Sequence, residues 1–362
     1  MTADAFVIGG GPAGCAFAIE AARVGLRVAL AERGSFPRAK VCGEFVSPAA
    51  TGDLEALLSP KELQRCGAPR VDLLTLEAGE RSMTWSMPKP AWVLSRATLD
   101  AELLQRAREA GVDVREKCGV AAVEHDADAV LVRLRGGEDV RAKCVVHADG
   151  SGRLDAAGPT KVDRHVLGLK CHMRIAGGVQ GLAMRAAGGA YAGLVGIEGG
   201  LATCALVART LLVRKFGNDH DALLAAIWPR LADAERVGNW MTSPVPRAMY
   251  RRASWLRSFR IGNAGAALDP VGGEGIGNAL FAGKTLAASL MEHGVQETGL
   301  QRAQAELAEA YRKRFRLRMA ACRAAACTLM RPGLAVPLVA ALSLPGLASV
   351  GVWPWYALTG KG

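Results

Sequence analysis

The glycine-rich turn near the N-terminus, residues 9–14, limits the fold more than any other feature of the sequence. A short apolar stretch, Ala5–Ile8, precedes this turn, and an alanine-rich stretch of helical length, Cys15–Val24, follows it. Gly25 ends the helical stretch, and Leu26–Ala31 is again apolar and of strand length. The pattern predicts a strand–helix–strand unit with G-x-G-x-x-G at its first turn, which is typical of a dinucleotide-binding domain.

Each residue type in this unit has a physical reason. Gly9 permits the tight turn, Gly11 lets a pyrophosphate approach the backbone, and Gly14 allows close packing of helix and strand. The free N–H groups of the helix N-terminus suit phosphate oxygens. The acid Glu32 follows the second strand, where a carboxylate can accept hydrogen bonds from ribose hydroxyls. We therefore assign seven residues to cofactor binding, namely Gly9, Gly11, Pro12, Ala13, Gly14, Glu32 and Arg33.

Three further segments carry a family resemblance. Residues 35–44 (SFPRAKVCGE) look like the "P-R-x-K-x-C-G-E/G" segment of geranylgeranyl reductase-like flavoproteins. Arg96, with Leu99-Asp100-x-x-Leu103, resembles the "R-x-x-(L/F)-D-x-x-L" helix of these proteins and of flavin hydroxylases, where the arginine contacts FAD. Residues 145–150 (VVHADG) resemble their "A-D-G" strand end. The resemblance implies that Cys42, Arg96 and Asp149 contact FAD.

The most specific resemblance lies in residues 260–279 (RIGNAGAALDPVGGEGIGNA). This segment is similar to "G-D-A-A-G-x-x-D-P-x-x-G-E-G-I-x-x-A", which holds the flavin ribityl chain and isoalloxazine edge in the same family. It implies contacts from Asn263, Asp269, Gly273, Gly275 and Ile276, with Asn263 in place of the usual aspartate. Together the motifs, over residues 5–285, make the chain similar to FAD-dependent oxidoreductases of the geranylgeranyl reductase-like and aromatic-hydroxylase superfamily.

Length and motif order predict the domain organisation. A chain of 362 residues suits about two domains. We expect an α/β fold with a discontinuous Rossmann-type FAD-binding domain, an inserted, mainly β substrate domain and a C-terminal helical segment. The FAD-binding domain takes residues 1–70, 95–160 and 255–300, and the substrate domain takes 71–94 and 161–254. Within the insert, strands are expected at 166–175, 189–197 and 202–207, and a helix at 219–239.

Composition excludes several classes of protein. Half of the residues are hydrophobic, so the chain is not intrinsically disordered. The nine cysteines form no C-x-x-C pair, which argues against structural zinc and suits a reducing, cytoplasmic compartment. No basic, signal-like stretch precedes the first strand. The net charge of +11 suits anionic partners, but no nucleic-acid recognition module accompanies it.

The C-terminal segment, residues 301–362, divides into a basic and an apolar part. Residues 301–331 hold eight Lys/Arg against two acids, whereas residues 332–360 hold no charged residue. Prolines interrupt the apolar part, so it does not form a clean spanning helix of ~20 apolar residues. Two interpretations stay open: peripheral contact with an anionic membrane surface, or packing against the protein itself.

FAD would supply the chemistry, so catalytic side chains are hard to assign. Cys42 is the first candidate because its motif lies close to the isoalloxazine in the related family. His172 and Tyr191, on predicted strands of the insert, are candidates for acid or base. No second dinucleotide motif is present, so NAD(P)H visiting transiently or an electron-donor protein would reduce the flavin.

We expect a small lipophilic substrate and favour monooxygenation of an aromatic or polyketide-type metabolite through a flavin hydroperoxide. The "Y-x-W-x-F-P" segment of prenyl reductases is missing around Tyr191, which disfavours a long-chain prenyl substrate. The first alternative is reduction of a C=C bond, or dehydrogenation, of an isoprenoid-like substrate. A non-catalytic, flavin-bearing accessory protein is the second.

Overall fold

The computed structural model describes residues 2–150, 162–246, 249–250 and 254–344. Its strands are β1 (Thr2–Ile8), β2 (Val28–Ala31), β3 (Phe45–Val46), β4 (Arg70–Ala78), β5 (Arg81–Val93), β6 (Asp113–Arg115), β7 (Gly119–His125), β8 (Val130–Arg135), β9 (Val140–His147), β10 (Val162–Arg174), β11 (Leu182–Ala187), β12 (Ala190–Gly196), β13 (Ala202–Arg209), β14 (Glu235–Pro246), β15 (Met249–Tyr250), β16 (Ser254–Trp255), β17 (Ser258–Arg260) and β18 (Ala266–Ala267). Its α-helices are α1 (Pro12–Arg23), α2 (Pro48–Leu57), α3 (Pro60–Arg65), α4 (Arg96–Glu109), α5 (Thr210–Lys215), α6 (His220–Ile227), α7 (Gly275–His293), α8 (Glu297–Leu329) and α9 (Pro332–Leu342).

The first sheet is built around β1. Its strand order is β16-β17-β9-β1-β2-β6, with β8 pairing to β9 and β7 to β8. β1 runs parallel to β2 and to β9, so Ile8 lies level with Ala31 and with His147. The residues that follow these three strands therefore meet at one edge, as the carboxyl ends of parallel strands do. This edge carries the glycine turn, Glu32 and Asp149.

The second sheet is mainly antiparallel, in the order β14-β10-β13-β12-β11-β4-β5-β3, and only β11 and β4 pair in parallel. It contains the strands expected in the insert. It also takes β3 from residues 45–46, inside the segment assigned to the FAD-binding domain. The α/β fold class is confirmed, whereas the domain boundaries stay a prediction.

The helix predicted for residues 219–239 is wrong in its second half. α6 ends at Ile227, a short 3-10 turn begins at Pro229, and the chain becomes β14 from Glu235. Pro229 has no N–H to continue the helix, and the residue before a proline disfavours helical geometry. β14 then pairs with β10, so strand pairing decides the conformation of this segment.

The C-terminal segment forms α8 and α9. α8 packs against α7, and α9 packs against β4 and β5. In the part of the chain that the structure describes, no single helix has the length and hydropathy needed to cross a membrane, and α8 and α9 pass that test only as a pair bent by 103°. The apolar segment predicted from residue 332 is described only as far as Leu344.

Candidate cofactor and substrate site

The glycine turn forms an open cradle at the edge of the first sheet. Gly9 has φ +106°, and a Cβ on Gly14 would lie 2.0 Å from the Gly9 carbonyl oxygen, so both positions need glycine. Gly11 differs because nothing lies within 4 Å of its Cβ direction. It precedes Pro12 at the start of α1, and no side chain caps this helix. Open space next to uncapped N–H groups fits a pyrophosphate.

Glu32 is held where a ribose would lie. Its carboxylate is buried and accepts hydrogen bonds from the N–H of Gly10 at 3.0 Å and of Gly34 at 2.8 Å. These bonds fix its orientation and leave a lone pair on each oxygen for a ribose hydroxyl.

A cavity of about 440 Å³, here named the central cavity, extends from this edge to the second sheet. One side consists of residues predicted to bind cofactor, and the other is mostly apolar strand residues. The cofactor side includes Arg33, Cys42, Asp149, Asn263 and Gly273, and the strand side includes Leu169, Leu182, Met184, Tyr191, Val195, Leu206 and Val207. Such a mixture is typical of a cleft that holds a cofactor and an apolar ligand together.

The second glycine-rich turn lies between this cavity and α7. Asp269 accepts a hydrogen bond from the N–H of Val271 at 3.1 Å, and Gly273 follows with φ +67°. α7 begins at Gly275, whose Cβ direction is open, and Ile276 is buried. Backbone N–H groups at a helix N-terminus stabilise negative charge, which fits the reduced edge of a flavin.

The candidate catalytic residues have different surroundings. Cys42 lines the central cavity, and its Sγ accepts a hydrogen bond from the N–H of Glu44 at 3.3 Å. Tyr191 also lines it and donates to Asp269 Oδ1 at 2.6 Å. Burial, together with this carboxylate, raises the pKa of Tyr191 well above its usual value. His172 does not line the cavity, because its Nε2 lies 3.0 Å from Glu44 Oε2.

Arg96 is also outside the cavity lining. Its guanidinium is buried and makes two hydrogen bonds with Asp100, at 2.6 and 2.8 Å. Burial alone would lower the pKa of Arg96, but the Asp100 carboxylate and the Cys42 thiol raise it above its usual value. Its predicted contact with FAD stays a prediction, and the described contact is with the Cys42 thiol.

Sequence reasoning quoted Glu44 within a motif but gave it no role. The structure buries its carboxylate completely and holds its backbone at φ +58°, which is uncommon for a residue other than glycine. The carboxylate accepts hydrogen bonds from the N–H of Arg96 at 2.7 Å, from Lys170 and from Thr203, and it contacts His172. These contacts join the Cys42 loop to β10 and β13.

The charge of Glu44 depends on these partners. Burial by itself would raise the pKa of Glu44, but hydrogen bonding to His172 and the charge of Lys170 lower it to about 2. A sequence signal for this cluster did exist. Lys170 and His172 are two residues apart on one strand and so share a face, and a fully buried lysine needs an anionic partner.

Comparisons with known proteins agree with this geometry. Residues 4–178 match the family model described as lycopene cyclase protein. A curated relative from Mycobacterium tuberculosis, named menaquinone reductase, is 32% identical over 155 residues, which is 41% of this chain and 38% of the relative. The chain thus spans about two fifths of that relative. The menaquinone reductase of Mycolicibacterium smegmatis is 28% identical over 324 residues, with 81% of this chain and 77% of the relative covered.

The fold resembles solved flavoprotein structures along its whole length. The flavin-dependent brominase Bmp2 superposes with a TM-score of 0.81 at 20% identity, covering 100% of this chain and 94% of that chain. A geranylgeranyl bacteriochlorophyll reductase-like protein from Thermoplasma acidophilum gives 0.79 at 21% identity, with 98% and 96% covered. The class defined by fold and site is therefore the FAD-dependent flavoprotein class. Within it, the resemblance to the geranylgeranyl reductase-like and monooxygenase superfamily is confirmed.

Gly11→Ala tests the cradle without disturbing the fold. The new Cβ meets no protein atom and the φ of −79° suits alanine, so the unfolding temperature should stay unchanged. The methyl group would occupy the approach of the pyrophosphate, so affinity for FAD should fall by about 1–3 kcal/mol, or roughly fivefold to 150-fold. Flavin absorbance per protein and FAD titration measure this.

Gly52→Ala is the matched control, because Gly52 lies in α2 and its Cβ direction is also open. This variant should keep full flavin occupancy. A Gly11→Ala protein that binds FAD as tightly as the unsubstituted chain would show that the pyrophosphate lies elsewhere.

Glu44→Gln tests the buried cluster. The substitution leaves Lys170 charged, buried and without its carboxylate, which should lower the free energy of unfolding at pH 7 by about 3–5 kcal/mol. Because the folded-state pKa of Glu44 is lowered, its contribution is complete above about pH 4.5 and is lost as the pH falls towards about 2. The difference between the two proteins in urea unfolding should therefore shrink below pH 4.5.

Glu235→Gln is the control, since Glu235 pairs with Arg174 and both side chains are more than 60% exposed. It should cost less than about 1 kcal/mol. Equal, pH-independent effects of the two substitutions would contradict the account of Glu44.

Proposed function

We propose that the protein is an FAD-dependent oxidoreductase that acts on a lipophilic substrate in the central cavity. The continuity of this cavity carries the proposal. It runs from the residues that suit FAD, such as Cys42 and Asn263, to the apolar face of the second sheet. A ring held against that face would lie beside the flavin, and apolar side chains would exclude water from the reaction.

Within this class we favour oxygenation of an electron-rich aromatic or polyketide-type ring. Reduction of a C=C bond needs a proton donor beside the carbon that accepts the proton, whereas ring oxygenation needs no such donor. Tyr191 directs its hydroxyl proton to Asp269, and burial raises its pKa, so it is a poor donor to substrate. The missing "Y-x-W-x-F-P" segment points the same way.

A second candidate is reduction of an isoprenoid-like substrate. The relative from Mycolicibacterium smegmatis, which aligns with most of this chain, is named menaquinone reductase. In this alternative the Cys42 thiol, on the cavity wall, is the candidate proton donor. For either reaction, transient NAD(P)H or an electron-donor protein would supply the electrons.

The two reactions can be separated with flavin-loaded protein. The protein is reduced anaerobically and mixed with either air-saturated buffer or phylloquinone, a prenylated naphthoquinone. Oxygenation predicts rapid reoxidation by oxygen and little by phylloquinone. Electron-rich naphthols should then gain one oxygen atom, as detected by mass spectrometry.

Cys42→Ser provides the discriminating variant. An oxygenase should keep most of its rate after this change, whereas a reductase that uses the thiol should lose about a hundredfold or more. Slow reoxidation in air, addition of two hydrogens to phylloquinone and loss of that activity in Cys42→Ser would replace oxygenation with reduction.

We also propose peripheral contact of residues 301–362 with an anionic membrane. α9 leaves Leu334 and Leu338 on its exposed side at 50% and 40% exposure, whereas Ala335 and Val339 are buried. Exposed basic residues of α8, including Arg312 and Arg316, complement an anionic lipid surface.

Sedimentation with phosphatidylglycerol vesicles tests this contact in the full chain. Replacing both Leu334 and Leu338 with serine removes two apolar side chains worth about 1.5–3 kcal/mol each if inserted, so binding should fall at least about tenfold. Leu211→Ser is the control, because Leu211 is 78% exposed on α5, outside this segment. Equal binding by both variants would mean that α9 does not contact lipid.

A further inference from the structure

A second cavity, of about 530 Å³, lies between β10, β13, β14 and the C-terminal part of α8. We name it the arginine cavity, because four arginines line it: Arg164, Arg209, Arg323 and Arg331. They come from three separate elements and from the residue after α8, yet they meet around one space. None of the functions considered above uses this cavity.

The charge of the arginine cavity is unbalanced. None of the four arginines forms an ion pair with a carboxylate of the described residues. Two acids line the same space, but both already accept hydrogen bonds: Asp163 from the N–H of His165 at 2.9 Å, and Asp269 from Tyr191. Clustered guanidinium groups without counter-ions favour a bound carboxylate or phosphate, with which they form charge-assisted hydrogen bonds.

The two cavities share a wall. Val162, Val207, Val245 and Pro246 line both of them, so an apolar passage separates the arginines from the central cavity. The hydrogen bond between Tyr191 and Asp269 lies at the same boundary, because Tyr191 lines the central cavity and Asp269 lines the arginine cavity. One elongated molecule could contact both spaces through this apolar passage.

We infer that the substrate is an amphiphile whose anionic group, a carboxylate or phosphate, binds in the arginine cavity while its apolar part extends to the flavin. This inference rests on the proposed function, since it uses the central cavity as the reaction site. It also gives the four arginines a specificity role, because a neutral lipid of the same length would leave them without a counter-charge.

Cys327 provides a direct measurement of occupancy. It is an exposed free cysteine on the wall of the arginine cavity, so a bound ligand should slow its alkylation by iodoacetamide. Cys118 lies between β6 and β7, outside this cavity, and serves as the internal reference. Peptide mass spectrometry follows both cysteines in the full, flavin-loaded chain. The ligands compared are decyl phosphate, decanoate, decanol, inorganic phosphate and NADPH, each below its aggregation concentration.

Decyl phosphate, decanoate or both should protect Cys327 but not Cys118, and decanol should protect much more weakly. Replacing Arg209 and Arg323 together with glutamine should weaken this protection by about tenfold or more, because two charge-assisted contacts are lost. Arg316→Gln, an exposed arginine of α8 outside the cavity lining, should leave it unchanged. The relative strength of phosphate, carboxylate and inorganic phosphate then identifies which anion the site prefers.

Two results would overturn the inference. Equal protection by decanol and decyl phosphate would show that the site recognises only apolar chains. Protection by NADPH alone would show that the arginines bind the reductant. Because alkylation is measured without turnover, protection by decyl phosphate in a protein that never retains FAD would refute the proposed function but leave the anion site standing.

Discussion

The buried pair of Glu44 and Lys170 connects the two halves of the molecule. Glu44 follows the Cys42 loop next to the first sheet, and Lys170 stands on β10 of the second sheet, with both side chains fully buried. Two charges so far from water are stable only when each has its partner. The geometry of the cleft between the sheets therefore depends on this contact, and the left-handed backbone of Glu44 is retained because four groups hold its carboxylate.

Local rules explain which parts of the fold the sequence could predict. The strand, glycine turn, helix and second strand at the N-terminus depend on neighbours in sequence, and β1, α1 and β2 appear where they were expected. The helix expected at 219–239 failed because β14 gains its stability from β10, a partner distant in sequence. Propensity is a weak guide when tertiary pairing supplies the alternative.

The candidate site shows the same division between local and distant information. Gly9, Gly11 and Gly14 could be assigned because each requirement is a backbone property of one short turn. The cluster around Glu44 could not, since its members come from residues 44, 96, 170, 172 and 203 and meet only through folding. An apolar strand that contains a lysine was the available sign, but it does not identify the partner.

Asp269 and Tyr191 illustrate how a cofactor motif can also serve substrate recognition. Asp269 belongs to the glycine-rich segment that resembles a flavin-binding motif, yet its carboxylate is hydrogen-bonded to Tyr191 and lies on the wall of the arginine cavity. Burial raises the pKa of Asp269, so this carboxyl carries its negative charge less readily beside the four arginines than an exposed aspartate would. A weakly charged acid at this boundary competes little with an incoming anion. The positive potential of the cavity thus remains available to a ligand, although the cavity wall includes two acids.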